Sequence, residues 1–193
     1  MESPSDETLL AAWVEGDASS GEALFERYFA SLFRFFAAKV PLEAADLTQE
    51  SLLACVRQAR ARTEFSSVRA YLFGLAHKQL AMHFRKQSRT PDFDFSTLSV
   101  ADLRQGPSSW LTANERRSQL LMAMQRLSLD RQITLELYYW EDLSTEEIAE
   151  VTGVSAGTVR SRLARAREEL AALIEVPSDD AITKLGEDLG FTS

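Results

Sequence analysis

Apolar residues recur at intervals of three to four positions along nearly the whole chain, which is the period of helices with one buried face. No segment shows the apolar–polar alternation of a half-buried strand. The pattern therefore predicts an all-α protein. We expect helices at about 6–15, 21–40, 43–60 and 69–86, and then at about 113–127, 130–141, 144–152 and 155–174.

The first four predicted helices form a bundle over residues 1–90. Asp6 suits the N-cap of the first helix, and Pro41 and Pro91 end the second and the fourth. Two apolar stripes predict the buried faces of this bundle. They consist of Phe25, Phe29, Phe33 and Phe36 in the second helix and of Leu47, Leu52, Leu53 and Val56 in the third.

Residues 91–112 contain prolines and polar residues without a helical period, so they predict a flexible linker between two small helical domains. Phe93, Phe95 and Trp110 indicate that part of this linker lies against the rest of the protein. The second domain covers residues 113–174. An acidic tail, 175–193, follows it and can form a weak helix.

Charge is unevenly distributed in this chain, whose formal net charge is −8. Residues 57–89 are strongly basic, with Glu64 as their only acid, and residues 151–174 form a second basic island. Two such islands in an acidic chain favour contact with nucleic acid at two places. The alternative is that helix faces alternate in charge by chance.

Residues 143–170 have the pattern of a helix-turn-helix. Ser144 and Glu147 form a capping box, and Ser155 suits the N-cap of the second helix. Ala149, Gly153 and Val159 have the spacing of this motif, in which a small residue permits a close crossing, a glycine permits the turn and a branched residue anchors the second helix.

A helical wheel of the second helix separates a buried arc from an outward one. The buried arc consists of Val159, Leu163, Ala166, Leu170 and Leu173, and the outward arc of Thr158, Arg160, Ser161, Ala164 and Arg165. Arg162 and Arg167 flank the seam and suit phosphate contacts. The outward arc predicts a helix that reads the DNA major groove, against the simpler alternative of a solvated face with ordinary arginines.

Little in the chain points to catalysis or metal binding. His77 and His83 do not share a helical face and Cys55 is the only cysteine, so neither a metal site nor a Cys–His pair is indicated. We expect no cofactor and no enzymatic activity. The lone cysteine, the acidic N-terminus and the lack of a long apolar run favour a soluble cytoplasmic protein without membrane insertion.

The segment STEEIAEVTGVSAGTVRSRLARAREEL resembles region 4 of bacterial sigma-70 factors, particularly of the extracytoplasmic-function (ECF) group. The segments GDASSGEALFERYFASLFRFF, AADLTQESLL and RAYLFGLAHKQLAMHFRK resemble region 2 of the same family. The resemblance implies a factor that binds core RNA polymerase, through the β′ clamp helices and the β flap, and directs initiation at specific promoters. It also implies an anti-sigma protein as a partner.

The resemblance carries roles to individual residues. Those of the −35 element contact are Thr158, Arg160, Ser161, Arg162, Ala164 and Arg165, and those of the −10 element contact are Arg60, Arg62, Glu64, Ser66, Arg69, Lys78 and Arg85. Asp46, Gln49 and Glu50 would bind the polymerase clamp. The linker, with Asp92, Asp94 and Asp102, would thread the polymerase active-site cleft.

Some positions depart from the family pattern. Ala76-His77-Lys78 followed by Met82 replaces the usual motif in the fourth helix, Tyr71 stands where tryptophan is common, and Ala164 is smaller than usual. These departures bear on which promoter sequences are preferred. An alternative function is that of a LuxR-like helix-turn-helix regulator that does not replace a sigma factor, in which residues 8–90 would be an unrelated sensor bundle.

Overall fold

The computed structural model describes residues 4–59, 67–87, 94–101, 115–173 and 179–188, and these ranges contain helices and turns but no extended sheet. The helices are α1 (Asp6–Val14), α2 (Ala18–Ala37), α3 (Ala44–Ala59), α4 (Val68–Gln87), α5 (Glu115–Met124), α6 (Leu129–Tyr139), α7 (Thr145–Thr152), α8 (Ala156–Leu173) and α9 (Asp179–Asp188). The all-α prediction is confirmed. No described helix combines the length and the apolar character needed to cross a bilayer.

Helix starts follow from local capping. Helix α1 begins at Asp6 as predicted, but its predicted N-cap was wrong, and so was the predicted start of α2. The N-cap of α1 is Ser5, whose hydroxyl accepts from the Thr8 amide at 3.3 Å, whereas the Asp6 carboxylate bonds the side chains of α2 residues Arg27 and Tyr28. Helix α2 begins three residues earlier than predicted. The reason is Asp17, which accepts the Ser19 amide at 3.1 Å and thereby caps the helix.

The core of the first bundle uses a different face of α2 from the predicted phenylalanine stripe. Phe36 is buried, but Phe25 and Phe33 are each 37% exposed and stack on either side of Phe29. The large side chains buried on α2 are Leu24, Tyr28, Leu32, Phe35 and Phe36. Both sets satisfy a helical period, and the packing of α1, α3 and α4 against α2 decides between them.

The inner face of α3 contains polar residues that the apolar stripe did not predict. Thr48 and Ser51 are fully buried, and each hydroxyl donates to the carbonyl four residues earlier, of Ala44 and Leu47, at 2.7 Å. These bonds satisfy the hydroxyls within the helix and make their burial tolerable. Leu53, which we predicted to face inward, is 52% exposed.

Residues 94–101 of the predicted linker are docked rather than flexible. The carbonyls of Phe95 and Leu98 accept the amides of Asp130 and Leu129, at 3.2 and 2.8 Å, at the start of α6. Val100 is fully buried, and Phe95 packs beside His77 and Phe84 of α4. Segment 94–101 therefore bridges the two helical bundles. Phe93 and Trp110 lie outside the described residues.

The acidic tail forms helix α9, which docks on the second bundle. Ile182 is buried, and its carbonyl accepts the indole N–H of Trp140 at 3.0 Å. At the start of α9, the Asp179 carboxylate lies 3.1 Å from Nε of Arg167 and accepts the Tyr139 hydroxyl at 2.6 Å. Helix α9 therefore covers the C-terminal end of α6, which belongs to the predicted DNA-binding domain.

Candidate nucleic-acid interface

Helices α7 and α8 form the predicted helix-turn-helix, and its capping is confirmed. The Ser144 hydroxyl accepts from the Glu147 amide at 3.2 Å, and the Glu147 carboxylate accepts from the Ser144 amide at 2.9 Å. Gly153 ends α7 in the left-handed region with φ 72°, which favours glycine. The Ser155 hydroxyl then accepts from the Thr158 amide at 3.1 Å and starts α8.

Helix α8 is held by the apolar arc that the wheel predicted. Val159, Leu163, Ala166 and Leu170 are buried. Leu173, placed in the same arc, is 42% exposed because it is the last residue of α8. The anchored turns of α8 therefore fix the direction in which the opposite side chains point.

The side of α8 opposite this arc is open to solvent. The exposed residues are those of the predicted outward arc, Thr158, Arg160, Ser161, Ala164 and Arg165. Nη1 of Arg160 makes long contacts of 3.5 Å with the Glu146 carboxylate and the Thr145 hydroxyl, and the Arg160 and Glu146 side chains are largely exposed. Such contacts are weak in water, so Arg160 can exchange them for a base edge or a phosphate.

The two flanking arginines are engaged within the second bundle. Nε of Arg162 lies 3.0 Å from the Asp130 carboxylate at the start of α6, where both side chains are mostly buried. Nε of Arg167 donates to the Tyr139 hydroxyl at 2.7 Å. These two arginines tie α8 to its neighbours, whereas Arg160 and Arg165 extend from the exposed face.

The predicted −10 residues fall into two groups. Arg60, Arg62, Glu64 and Ser66 lie outside the described residues, and Arg69, Lys78 and Arg85 lie on α4. Lys78 and Arg85 are exposed. Arg69 is partly buried, and its Nη1 donates to the backbone carbonyl of Glu141 at 2.9 Å. This contact between α4 and the second bundle was not predicted from the sequence.

The predicted polymerase-binding residues share one exposed face of α3. Asp46, Gln49 and Glu50 are separated by three and four positions, so they lie side by side along the helix, and all three are exposed. Leu47, Thr48, Ser51 and Leu52 on the other side are buried. This face presents two carboxylates and an amide, a composition suited to a partner with basic and hydrogen-bonding groups.

A buried ion pair between the two bundles is the main feature that sequence analysis missed. Lys39, just after α2, is fully buried, and its ammonium bonds the Glu136 carboxylate of α6 and the Phe35 carbonyl, the latter at 2.9 Å. Burial lowers the pKa of Lys39, and Glu136 opposes that shift. One feature of the sequence could have indicated a buried carboxylate, because Glu136 lies in the apolar stripe of α6 together with Leu129 and Ile133.

A second buried carboxylate lies at the same junction. Glu141, in the turn between α6 and α7, is 5% exposed, and burial raises its pKa to about 8 although Arg69 and Arg34 counteract the shift. Burial also shifts the pKa of two residues that the sequence analysis considered for chemistry, Cys55 and His77. Cys55 is buried, which raises the pKa of its thiol to about 12, and burial lowers the pKa of His77 to about 4.

Comparison with known proteins identifies relatives of both bundles. The family model described as Sigma-70, region 4 matches residues 117–170. The chain is 31% identical over 134 residues to the ECF RNA polymerase sigma factor EcfG of Rhodopseudomonas palustris, an alignment that covers 69% of this chain and 72% of that protein. It is 27% identical over 172 residues to the ECF RNA polymerase sigma factor SigM of Mycobacterium tuberculosis, covering 88% and 85%.

Two solved structures share the fold. CnrH, in complex with the cytosolic domain of CnrY, superposes with a TM-score of 0.65 at 20% identity, covering 90% of this chain and 99% of that one. The sigma factor RpoE in complex with the anti-sigma factor NepR, from Bartonella quintana, gives a TM-score of 0.61 at 22% identity, covering 81% and 98%. The likeness therefore includes the first bundle as well as the helix-turn-helix.

Proposed function

The chain belongs to the ECF RNA polymerase sigma factors, and from this premise we propose how its parts divide the work of promoter recognition. The family consists of DNA-binding transcription factors, not enzymes. We assign region 2 to residues 1–90, the connecting linker to 91–112, region 4 to 113–174 and a separate tail to 175–193. The alternative of a LuxR-like regulator is disfavoured because the relatives align over the first bundle as well.

In this proposal α8 reads the −35 element in the major groove. The observation that carries it is the exposed face of α8, with arginines and hydroxyls opposite an apolar arc that is buried from Val159 to Leu170. Arg160 and Arg165 supply guanidinium groups for guanine edges or phosphates, and Thr158 and Ser161 add hydroxyl donors. The small side chain of Ala164 leaves room for α8 to approach the DNA bases closely. Arg162 is bonded to Asp130, so its contribution is to hold α8 in place, with phosphate contact as a further role.

Region 2 supplies the other contacts. We propose that Asp46, Gln49 and Glu50 bind the polymerase clamp, because they form one exposed polar face on a well-packed helix. The basic residues of 57–89 would bind the −10 element as a single strand. RpoE was solved in complex with the anti-sigma factor NepR, and CnrH in complex with the cytosolic domain of CnrY. We propose that an anti-sigma protein likewise binds this factor in the cytoplasm.

Run-off transcription tests the proposal directly. Core RNA polymerase, with and without this protein, is supplied with a genomic DNA library, and start sites that require the protein define its promoters. The same promoters then test α8: Arg160→Ala or Arg165→Ala should each weaken binding of the −35 duplex about 5- to 150-fold, the loss expected for a base contact. Polymerase binding should be unchanged.

Arg126→Ala is the matched control, because Arg126 is an exposed arginine of the second bundle that is not on α8. It changes net charge equally and should reduce binding far less. No protein-dependent start sites would refute the sigma-factor assignment. Equal losses for Arg126→Ala and Arg160→Ala would instead refute α8 as the reading helix and leave only a general charge effect.

A further inference from the structure

Helix α8 has two arginines on its outward face, and they differ in their partners within the described part of the chain. Nη1 of Arg160 lies 3.5 Å from one carboxylate oxygen of Glu146 and 3.5 Å from the Thr145 hydroxyl. The Thr145 hydroxyl itself donates to the other carboxylate oxygen of Glu146 at 2.8 Å. Arg165 makes no hydrogen bond or ion pair with a described residue. The two arginines therefore meet DNA from different starting states.

The side chains of Thr145, Glu146 and Arg160, which we call the α7–α8 cluster, extend from well-anchored backbone. Thr145 and Glu146 are the first two residues of α7, directly after its N-cap. Ile148, two positions after Glu146, is fully buried, and so is Val159, the residue before Arg160. Because both helices are anchored beside the cluster, Glu146 and Arg160 can separate only by rotation of their side chains.

The Glu146 carboxylate places a lasting negative charge beside Arg160. The Glu146 side chain is 70% exposed, so burial does not favour its protonated form. The hydrogen bond from Thr145 lowers the pKa of Glu146, and the nearby Arg160 charge lowers it further. Glu146 is therefore ionised at neutral pH.

A carboxylate beside a DNA-contacting arginine affects phosphates and base edges differently. A phosphate that approaches Arg160 also approaches the negative charge of Glu146, and like charges repel each other. A guanine edge has no net charge and accepts two hydrogen bonds from a guanidinium group, so it meets no such repulsion. A carboxylate can also accept from the amino group of cytosine, the partner of guanine. Glu146 therefore disfavours the phosphate contact of Arg160 more than its base contact.

We propose that Glu146 is a specificity-determining residue that acts through Arg160: it directs the Arg160 guanidinium to a G·C base pair and away from phosphates, while Arg165 stays available to the DNA backbone. This inference rests on the proposed function of α8. It adds a repulsive element to recognition, and selectivity can come from disfavouring wrong contacts as well as from favouring right ones.

Binding of duplex DNA by the full-length chain tests the proposal. The −35 duplex comes from a promoter identified by run-off transcription, and a panel of duplexes replaces each of its base pairs in turn. The base pair at which Arg160→Ala loses discrimination marks the Arg160 contact, and we expect it to be G·C. Glu146→Gln keeps the size of the side chain and removes its charge. It should reduce discrimination at the same base pair by at least about fivefold, the lower end for one bidentate contact.

The Glu146→Gln protein should fold as wild type does, because Glu146 is exposed and the capping box uses Glu147 instead. Equal urea unfolding curves for the two proteins check this. Glu146→Ala, which also removes the acceptor oxygens, should lose at least as much discrimination as Glu146→Gln.

The salt dependence of binding is a second measurement, which a merely structural role would not change. Without the neighbouring carboxylate, Arg160 should neutralise one more phosphate, so log affinity should fall more steeply with log salt concentration, by about 0.9 in slope. Glu146→Gln combined with Arg160→Ala should lack this extra slope. Glu26→Gln is the matched control, because Glu26 is an exposed acid on α2 and its replacement removes the same charge. It should leave slope and base preference unchanged.

The outcomes separate this inference from the function on which it rests. If wild-type protein supports no run-off transcription, or if Arg160→Ala loses no discrimination, the proposed role of α8 is refuted and the inference with it. If Arg160→Ala loses discrimination but Glu146→Gln keeps the base preference and the salt slope of wild type, only the specificity role of Glu146 is refuted. Equal changes in Glu26→Gln, or an Arg160 contact at an A·T pair, would refute that role as well.

Discussion

The buried ion pair between Lys39 and Glu136 joins the two bundles, and removing one member should open the chain. In Lys39→Met the Glu136 carboxylate keeps, among the described residues, only its bond from Gln132, in a site that is 3% exposed. Breaking a buried pair in this way costs about 3–5 kcal/mol, because one charge remains buried without its partner. That cost corresponds to a shift of about two to four orders of magnitude in an equilibrium constant.

This free-energy cost destabilises the contact between the two bundles rather than the fold of either bundle. Lys39 belongs to the first bundle and Glu136 to the second, so separation of the bundles rehydrates the carboxylate without unfolding any helix. We therefore expect Lys39→Met to have a larger radius of gyration than wild type in small-angle scattering. Its circular dichroism at 222 nm should be unchanged.

A double variant provides the matched control. Lys39→Met with Glu136→Met replaces both charges by apolar chains of similar length, and such replacements of buried pairs are often neutral or stabilising by about 1–4 kcal/mol. The double variant should regain the compact dimensions of wild type. If Lys39→Met stays compact, or if the double variant is as expanded as the single one, the ion pair does not hold the bundles together.

Three further predictions concern other parts of the chain. The pKa of Glu141 is raised from 4.5 to about 8, so its contribution to stability is fully present below pH 4.5 and is lost as pH rises through about 8. Urea titrations at pH 5.5 and 8.5 should therefore show a fall in unfolding free energy of about 3 kcal/mol that Glu141→Gln lacks. Leu163→Ala should lower the unfolding free energy by about 2–5 kcal/mol in the same assay, because Leu163 is buried, whereas Ala164→Ser on the exposed face should change it little. Deleting residues 176–193 removes the partly exposed Asp179–Arg167 contact. Because such contacts are weak in water, promoter binding measured by fluorescence anisotropy should tighten less than about fivefold. A larger gain in affinity would identify the tail as an inhibitor.

The helix-turn-helix was predictable because its determinants are local. Ser144, Glu147 and Ser155 bond backbone amides within three residues, and Gly153 adopts the left-handed conformation that its residue type favours. The period of α8 likewise identified its buried and exposed faces, apart from the terminal Leu173. Each of these features needs only the neighbouring sequence to form.

Features that depend on distant contacts were not predictable in this way. Phe25 and Phe33 fit a helical stripe as well as Leu24 and Leu32 do, and only the positions of the other helices decide which pair is buried. Lys39 and Glu136 are 97 positions apart, and nothing near Lys39 marks it as a buried residue. The docking of segment 94–101 depends on backbone bonds to α6, which composition does not encode.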